Sequence, residues 1–388
     1  MPVKNRFAEL HDDITAWRRD FHMHPEILFE THRTAATVAE KLRAFGCDEV
    51  VEGIGRTGVV GVIKGRSDSA GKVIGLRADM DALPIHEETG LAYASKTPGA
   101  MHACGHDGHT AMLLGAARYL AETRNFDGTC VVIFQPAEEG GGGGKEMCDD
   151  GMMDRWGIQE VYGMHNWPGM PTGSFGIRTG PFFAATDLLD IEIEGLGGHA
   201  AKPQDTVDTT VVAAQIVMAL QTIASRNADP IGNIVVSITS FETSSKAFNV
   251  IPQTVQMYGT VRTMSPEMRD LAEKRVNEIC SGIAATFGAV ARVNYKRNYP
   301  VMVNHPEQTE FAAAVATGIS GGCGEAPLVM GGEDFAFMLE ERPGAYILMG
   351  NGTEGAMVHH PLYNFNDEAI PVGCSWFAEV VEQRMPLW

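Results

Sequence analysis

The chain has 388 residues, of which 44% are apolar, and a formal net charge of −19. That length suits two or three ordinary domains, or one domain carrying an insertion, and the apolar share suits a packed core. The acidic balance excludes nucleic acid and anionic membrane surfaces as electrostatic partners, because both recruit basic patches.

Residues 5–46 carry helix patterning, with Phe7, Leu10, Ile14 and Trp17 recurring at spacings of three and four. A second helix is expected over Thr34–Phe45, closed by Gly46. Val59–Lys64 and Val73–Arg77 read as a strand pair joined by the loop Gly65–Gly71. Ala111–Glu122 is small, apolar and helical, and the buried-strand run Thr129–Phe134 follows it. Strand–helix–strand alternation of this kind predicts a mostly parallel sheet flanked by helices.

The middle of the chain changes character. Asp187–Glu194 alternates apolar and polar residues, as a half-exposed strand does, and Thr206–Ser225 reads as an amphipathic helix. Strands are expected at Asn233–Phe241, Val255–Val261 and Val290–Tyr295, with a helix over Ser265–Phe287 capped by Ser265 and Pro266. That β-α-β-β-α-β order is the ferredoxin-like split unit and covers 184–298. Helix Gln308–Ile319, strand Tyr346–Met349 and helix Gly373–Gln383 then resume the first pattern. The fold expected is α/β: a discontinuous domain of residues 1–183 and 299–388, interrupted by a small α+β domain of 184–298.

Seven cysteines scattered over the chain do not form a disulfide framework. Met1–Glu9 has no apolar signal core, and no run reaches the roughly 18 apolar residues of a spanning helix. A reduced, cytoplasmic protein is expected.

The chemistry concentrates in two stretches. His102-Ala-Cys104-Gly-His106-Asp-Gly-His109 crowds soft and borderline metal ligands together, and Gln135-Pro-Ala-Glu138-Glu139-Gly140 follows the buried strand. Cys and His hold a divalent ion, one carboxylate completes its sphere, and another can act as base. Consecutive side chains of extended backbone point apart, so Glu138 and Glu139 can divide those duties. His165, which follows an apolar strand-like run, and the pair His359-His360 are further candidate ligands; spacing does not separate the last two. His102 and His109 read as supporting residues, and Asp81 as a carboxylate that could orient a ligand histidine. The run Gly140–Gly144 before Lys145 is not a phosphate loop, because Glu139 and Glu146 stand where Gly and Ser or Thr would be needed.

These motifs, with Gly163-Met-His165, Gly197-Gly-His-Ala-Ala201, Asn249-Val-Ile-Pro252, Gly331-Gly-Glu-Asp-Phe335 and Trp17-Arg-Arg-Asp-Phe-His-Met-His-Pro-Glu26, run in order along the chain. Together they resemble the M20 metallopeptidase/amidohydrolase family, in its branch of aminoacylases, hippurate hydrolases and auxin-conjugate amidohydrolases. The resemblance implies a catalytic domain with an inserted lid or dimerisation domain, and two divalent ions, Zn or Mn with Ni or Co as alternatives. By it, Cys104 is shared between the ions, with His106, Glu139, His165 and His359 as the other ligands. Glu138 is then the general base and acid, and His199 reaches a partner subunit's site to stabilise the oxyanion. The implied substrate is a small N-acyl amino acid, and the assembly a homodimer or homotetramer. Asn249 and Arg262 are candidates for the substrate carboxylate. Gln204 and Gly332 depart from residues common in relatives, near expected substrate contacts. A dipeptidase or carboxypeptidase on the same machinery is the alternative enzyme, and a non-catalytic binding protein the alternative of another class.

Overall fold

Residues 5–387 are described by a computed structural model, and they fall into two units. The first runs to Gly180 and includes Val303–Pro327 and everything from Asp334; the second comprises Pro181–Met302 with Leu328–Glu333.

In the first unit, the opening helices form where the apolar spacing puts a stripe on one face. His11–Met23 buries Ile14 and Phe21, and His32–Phe45 buries Val38 and Leu42 and ends at a left-handed Gly46. The sheet has eight strands, in the order Glu49–Ile54, Gly58–Lys64, Thr129–Gln135, Val73–Asp79, Glu160–Pro168, Gly344–Gly352, Phe175–Ile177 and Gly324–Glu325. The four central strands are mutually parallel, and antiparallel pairs occur toward both edges. Cys130, Val132 and Phe134 join one apolar cluster with Met112, Leu113, Leu120, Trp376 and Phe377 of the helices. Val131 and Ile133 alternate to the other face and are also fully buried. Each such side chain contributes roughly 1.5–3 kcal/mol, so a sheet covered on both faces is the main store of stability.

Two expectations for this unit need correction. Gly58–Lys64 and Val73–Asp79 are both strands, but they are not paired. Thr129–Gln135 lies between them, antiparallel to the first and parallel to the second. A strand apolar on both faces gains most from two neighbours, and the intervening loop is drawn to its start by Gly65 N–H→Gly128 C=O and Thr129 N–H→Lys72 C=O bonds. The helix expected from Ala111 begins at His106. Its first turn is polar yet buried, so apolar periodicity does not reveal it.

The second unit is a four-stranded antiparallel sheet of Ala185–Glu194, Ile234–Thr243, Thr254–Thr263 and Val290–Arg297. The first strand lies between the third and fourth, the arrangement of a β-α-β-β-α-β split unit. Leu189, Ile191 and Ile193 pack against Val212, Ile216, Val276 and Cys280 of its two helices. The first of these helices runs over Thr209–Leu220 rather than from Thr206, because the Asp208 side chain accepts from Thr210 N–H and caps it there. Among the described residues no helix is long and apolar enough to cross a membrane.

A buried polar joint ties the N-terminal helix of the first unit to the helix that starts at His106. Arg18 pairs with Asp367 at 2.9 Å and donates to Asn364 and to the Phe365 carbonyl. His22 sits between Asp107 at 2.8 Å and Glu87 at 3.2 Å. Burial alone would lower the His22 pKa, but the two carboxylates outweigh it and push it up to about 9. A raised folded value stabilises fully below the unfolded value of about 6.5 and is lost as pH rises through 9. Thermal unfolding of the wild type should therefore show a stability decline between those pH values that His22→Gln flattens. Equal slopes for the two proteins would contradict the joint.

Candidate metal centre

The ends of the central parallel strands deliver the chemistry. Asp79 ends one strand and Asp81 follows it; Glu138 and Glu139 follow the next; His165 lies near the end of a third. Cys104 precedes the N-terminus of helix His106–Thr123, with His106 as its first residue. His359 sits in the loop after the fourth central strand, in left-handed backbone (φ 66°), and its N–H donates to the Ala103 carbonyl at 2.7 Å.

Three donor groups overlap. Ligand atoms of Cys104, His106 and His165 lie within 4.8 Å of one another, as do those of Cys104, Glu139 and His359, and those of His106, Glu138 and Glu139. Cys104 Sγ is 3.3 Å from His165 Nε2, and His359 Nε2 is 3.3 Å from Glu139 Oε1. His360 is not in these groups, and its Nδ1 accepts from Leu362 N–H at 3.1 Å. The structure thus separates two histidines that spacing left together.

Hydrogen bonds orient the donors. His106 Nδ1 donates to the Asp81 carbonyl at 2.9 Å, and His165 Nδ1 to the Asn166 carbonyl at 2.5 Å, so both rings present Nε2 to the cluster. The Asp81 carboxylate accepts from Glu138 N–H at 2.9 Å and Glu139 N–H at 3.1 Å. Asp81 therefore meets His106 mainly through its backbone, while its side chain fixes the glutamate turn. The glycine run has a local role. A Cβ at Gly144 would come 2.8 Å from the Asp334 carbonyl, and Gly144 N–H donates to the Asp334 carboxylate at 2.8 Å.

The electrostatics call for a cation. Burial would lower the His106 pKa, yet Asp79, Asp81 and Glu139 push it up to about 10. Burial pushes the Cys104 thiol well up, and Glu139 and Glu138 push it further. Burial holds His165 well below its ordinary value, so its ring stays neutral. His106 Nε2 is buried with no hydrogen-bond partner among the described residues, and Glu139 Oε1, also buried, is faced by His359 Nε2 at 3.3 Å. Cys, His and carboxylate atoms gathered around an orphaned His106 Nε2 fit divalent metal, which would displace the His106 proton and ionise the thiol. His109 is not such a donor: Asn166 N–H points at its Nε2 at 2.9 Å, and its Nδ1 faces Asp79 at 2.7 Å. His102 belongs to none of these groups; it is buried beside His22, with a ring-centroid separation of 6.4 Å.

The other expected site residues lie in the second unit. His199 is exposed on a two-residue strand paired with Val250–Ile251, and Asn249 precedes that partner, its carbonyl accepting from Ala200 N–H at 3.0 Å. Arg262 is half-buried in the strand Thr254–Thr263. Gly332 packs where a Cβ would meet Thr186 and Tyr299. Two residues of the first unit went unread as parts of the site, Asn166 and Tyr363. A buried amide beside a candidate ligand was the available signal for Asn166; Tyr363 lies in an irregular loop that gives none.

Strand-end donors on a mostly parallel sheet, with a carboxylate beside them, define a metal-dependent hydrolase. Residues 75–383 match peptidase family M20/M25/M40. The chain is 42% identical over 377 residues to the hippurate hydrolase of Campylobacter jejuni subsp. jejuni serotype O:2, covering 96% of each protein. It is 40% identical over 376 residues to the N-acetylcysteine deacetylase of Bacillus subtilis, covering 95% of this chain and 96% of that one. It is also similar to the crystal structure of the Bacillus subtilis YXEP protein, a dinuclear metal binding peptidase from the M20 family. The TM-score there is 0.85 at 36% identity, covering 97% of this chain and 99% of that chain. The chain belongs to peptidase family M20.

A protein stripped by chelator and then given Zn²⁺ or Mn²⁺ at a hundredfold excess over Kd should gain about 3 kcal/mol of stability, read as a rise in Tm. Cys104→Ala should remove that gain. An unchanged Tm in the wild type would contradict a metal centre.

Proposed function

We propose that the protein hydrolyses the amide bond of N-acyl amino acids to a carboxylate and a free amino acid. The observation that carries this reading is the pair of donor triads sharing Cys104, with Glu138 buried alongside. Cys104, His106 and His165 would hold one ion, and Cys104, Glu139 and His359 the other; the Cys and His donors favour Zn, with Mn, Ni or Co competing. When bound, the ions supply Lewis acidity that brings the pKa of water down to about 7 and polarises the scissile carbonyl.

The chain's own residues do the rest. Glu138, its backbone fixed by Asp81, takes the proton of the attacking water and returns it to the leaving nitrogen. His199 Nδ1 accepts from Ala201 N–H at 3.1 Å, which leaves Nε2–H as the donor toward an oxyanion. In a homodimer that donor is offered to the partner subunit's site, and one such bond contributes about 3–4 kcal/mol to the transition state. The Arg262 guanidinium is half-buried and makes no ion pair or hydrogen bond among the described residues. Asp187, the carboxylate that acts on it, is already held by Arg269 and Tyr295, so this partly desolvated cation suits a carboxylate substrate, with Asn249 as the second donor.

Glu138→Gln should lower kcat at least about a hundredfold while metal content stays at the wild-type level. Full activity in that variant would remove the assignment. On a panel of hippurate, N-acetyl amino acids and dipeptides, the N-acyl amino acids should be cleaved fastest; a preference for dipeptides would make the protein a peptidase on the same machinery. Arg262→Ala should raise KM for hippurate with a smaller change in kcat, and an unchanged KM would end that role.

A further inference from the structure

Asn166 places both its amide nitrogen and its amide oxygen in hydrogen bonds inside the cluster. Its Nδ2 donates to the Cys104 carbonyl at 2.6 Å and lies 3.0 Å from His109 Nε2, and its Oδ1 accepts from the Tyr363 hydroxyl at 2.6 Å. Its backbone N–H also donates to His109 Nε2, at 2.9 Å, and its carbonyl receives the His165 Nδ1 proton. With two N–H groups aimed at Nε2, His109 carries its hydrogen on Nδ1 and donates a hydrogen bond to the Asp79 carboxylate at 2.7 Å. Arg77 anchors Asp79 at 2.8 Å and is held in turn by Gln135 at 2.9 Å and Asp334 at 3.0 Å. Asn166, His109, Asp79 and Tyr363 are all fully buried.

A second, independent feature points to the same contact. Gly105, between Cys104 and His106, has φ +91°, and a Cβ there would lie 2.5 Å from the Tyr363 hydroxyl and closer still to the Asn166 amide. The glycine is the space into which that amide and hydroxyl fit.

We propose that Asn166 is a positioning residue of the metal centre: with His109 and Tyr363 it clamps the Cys104 loop to the His165 strand and sets the thiol against the His165 ring. The proposal rests on the metal-centre reading. Cys104 lies outside regular secondary structure, so no strand ladder fixes it, and its carbonyl is held by a side chain remote in sequence. His165 takes its ring orientation from the carbonyl of the same asparagine. One residue therefore sets two donors that would face the same ion. Partners of this outer kind are worth about 10–100-fold in metal affinity. His109 serves as the rigid stop behind the amide and not as a further ligand, because both of its nitrogens are engaged.

The test compares the full-length wild type with Asn166→Ala and Tyr363→Phe. Three readouts are taken: Zn²⁺ affinity by competition with a chromophoric chelator, the thiolate-to-Co²⁺ charge-transfer band, and kcat and KM for hippurate. Asn166→Ala should lose about 10–100-fold in affinity, with a weakened or shifted band and a kcat that falls more than KM changes. Tyr363→Phe removes one hydroxyl and should move each readout the same way by less; it carries the test if the alanine variant does not fold. Wild-type affinity and an unchanged Co²⁺ spectrum in a folded variant would overturn the clamp. A wild-type protein that binds neither metal would overturn the metal-centre reading and this inference with it.

Discussion

Negative charge placed out of water is the constraint on which this molecule turns. Asp79, Asp81 and Glu138 are buried and Glu139 nearly so, with the Cys104 thiol among them. Taking carboxylates out of water costs on the order of several kcal/mol each unless positive charge and hydrogen bonds compensate. Three of these carboxylates show their compensation directly. Asp79 receives Arg77 and His109, Asp81 receives two backbone N–H groups, and Glu139 faces His359 and His106. His106 is raised because the surplus of negative charge falls on it. A cluster so arranged is built for a cation, and the mostly parallel sheet exists in this chain to bring its strand ends to that point.

The same constraint explains the local backbone. Strands that end together leave their following residues in one crevice, the general place for ligands in open α/β sheets. The Glu138-Glu139 turn is bound from below by the Asp81 side chain, so the two glutamates diverge from a fixed base. His359 adopts left-handed backbone, a conformation uncommon for a residue with a side chain, and a bond to the Ala103 carbonyl holds it there. Strain at such a point is expected where geometry serves a site rather than packing.

Much of this was legible in the residues because the informative groups are neighbours in sequence. Cys104 and His106 sit two apart and the glutamates are adjacent, so their chemistry shows without a fold. The alternating strands of the second unit and its helix capped by Ser265 were equally plain, since period and capping are local properties, although the Asp208 cap of the other helix went unread. Strand neighbours were not. Val59–Lys64 and Val73–Arg77 look like a pair until the apolar strand between them claims a neighbour on each side, which is a tertiary choice. The first turn of the helix at His106 was hidden for a related reason, since its buried polar residues are satisfied by groups far along the chain. Asn166, Tyr363 and Gly105 meet only in three dimensions, and so do His359 and Glu139, a contact that His360 does not make.

The account stands or falls on metal and amide hydrolysis being one property of this chain. Elemental analysis of the purified protein, run beside hippurate hydrolysis before chelation, after it, and after metal is restored, tests this most directly. The account predicts two divalent ions per chain, loss of hydrolysis as they are removed, and recovery as they return. Hydrolysis that persists in protein shown to be free of metal would contradict it.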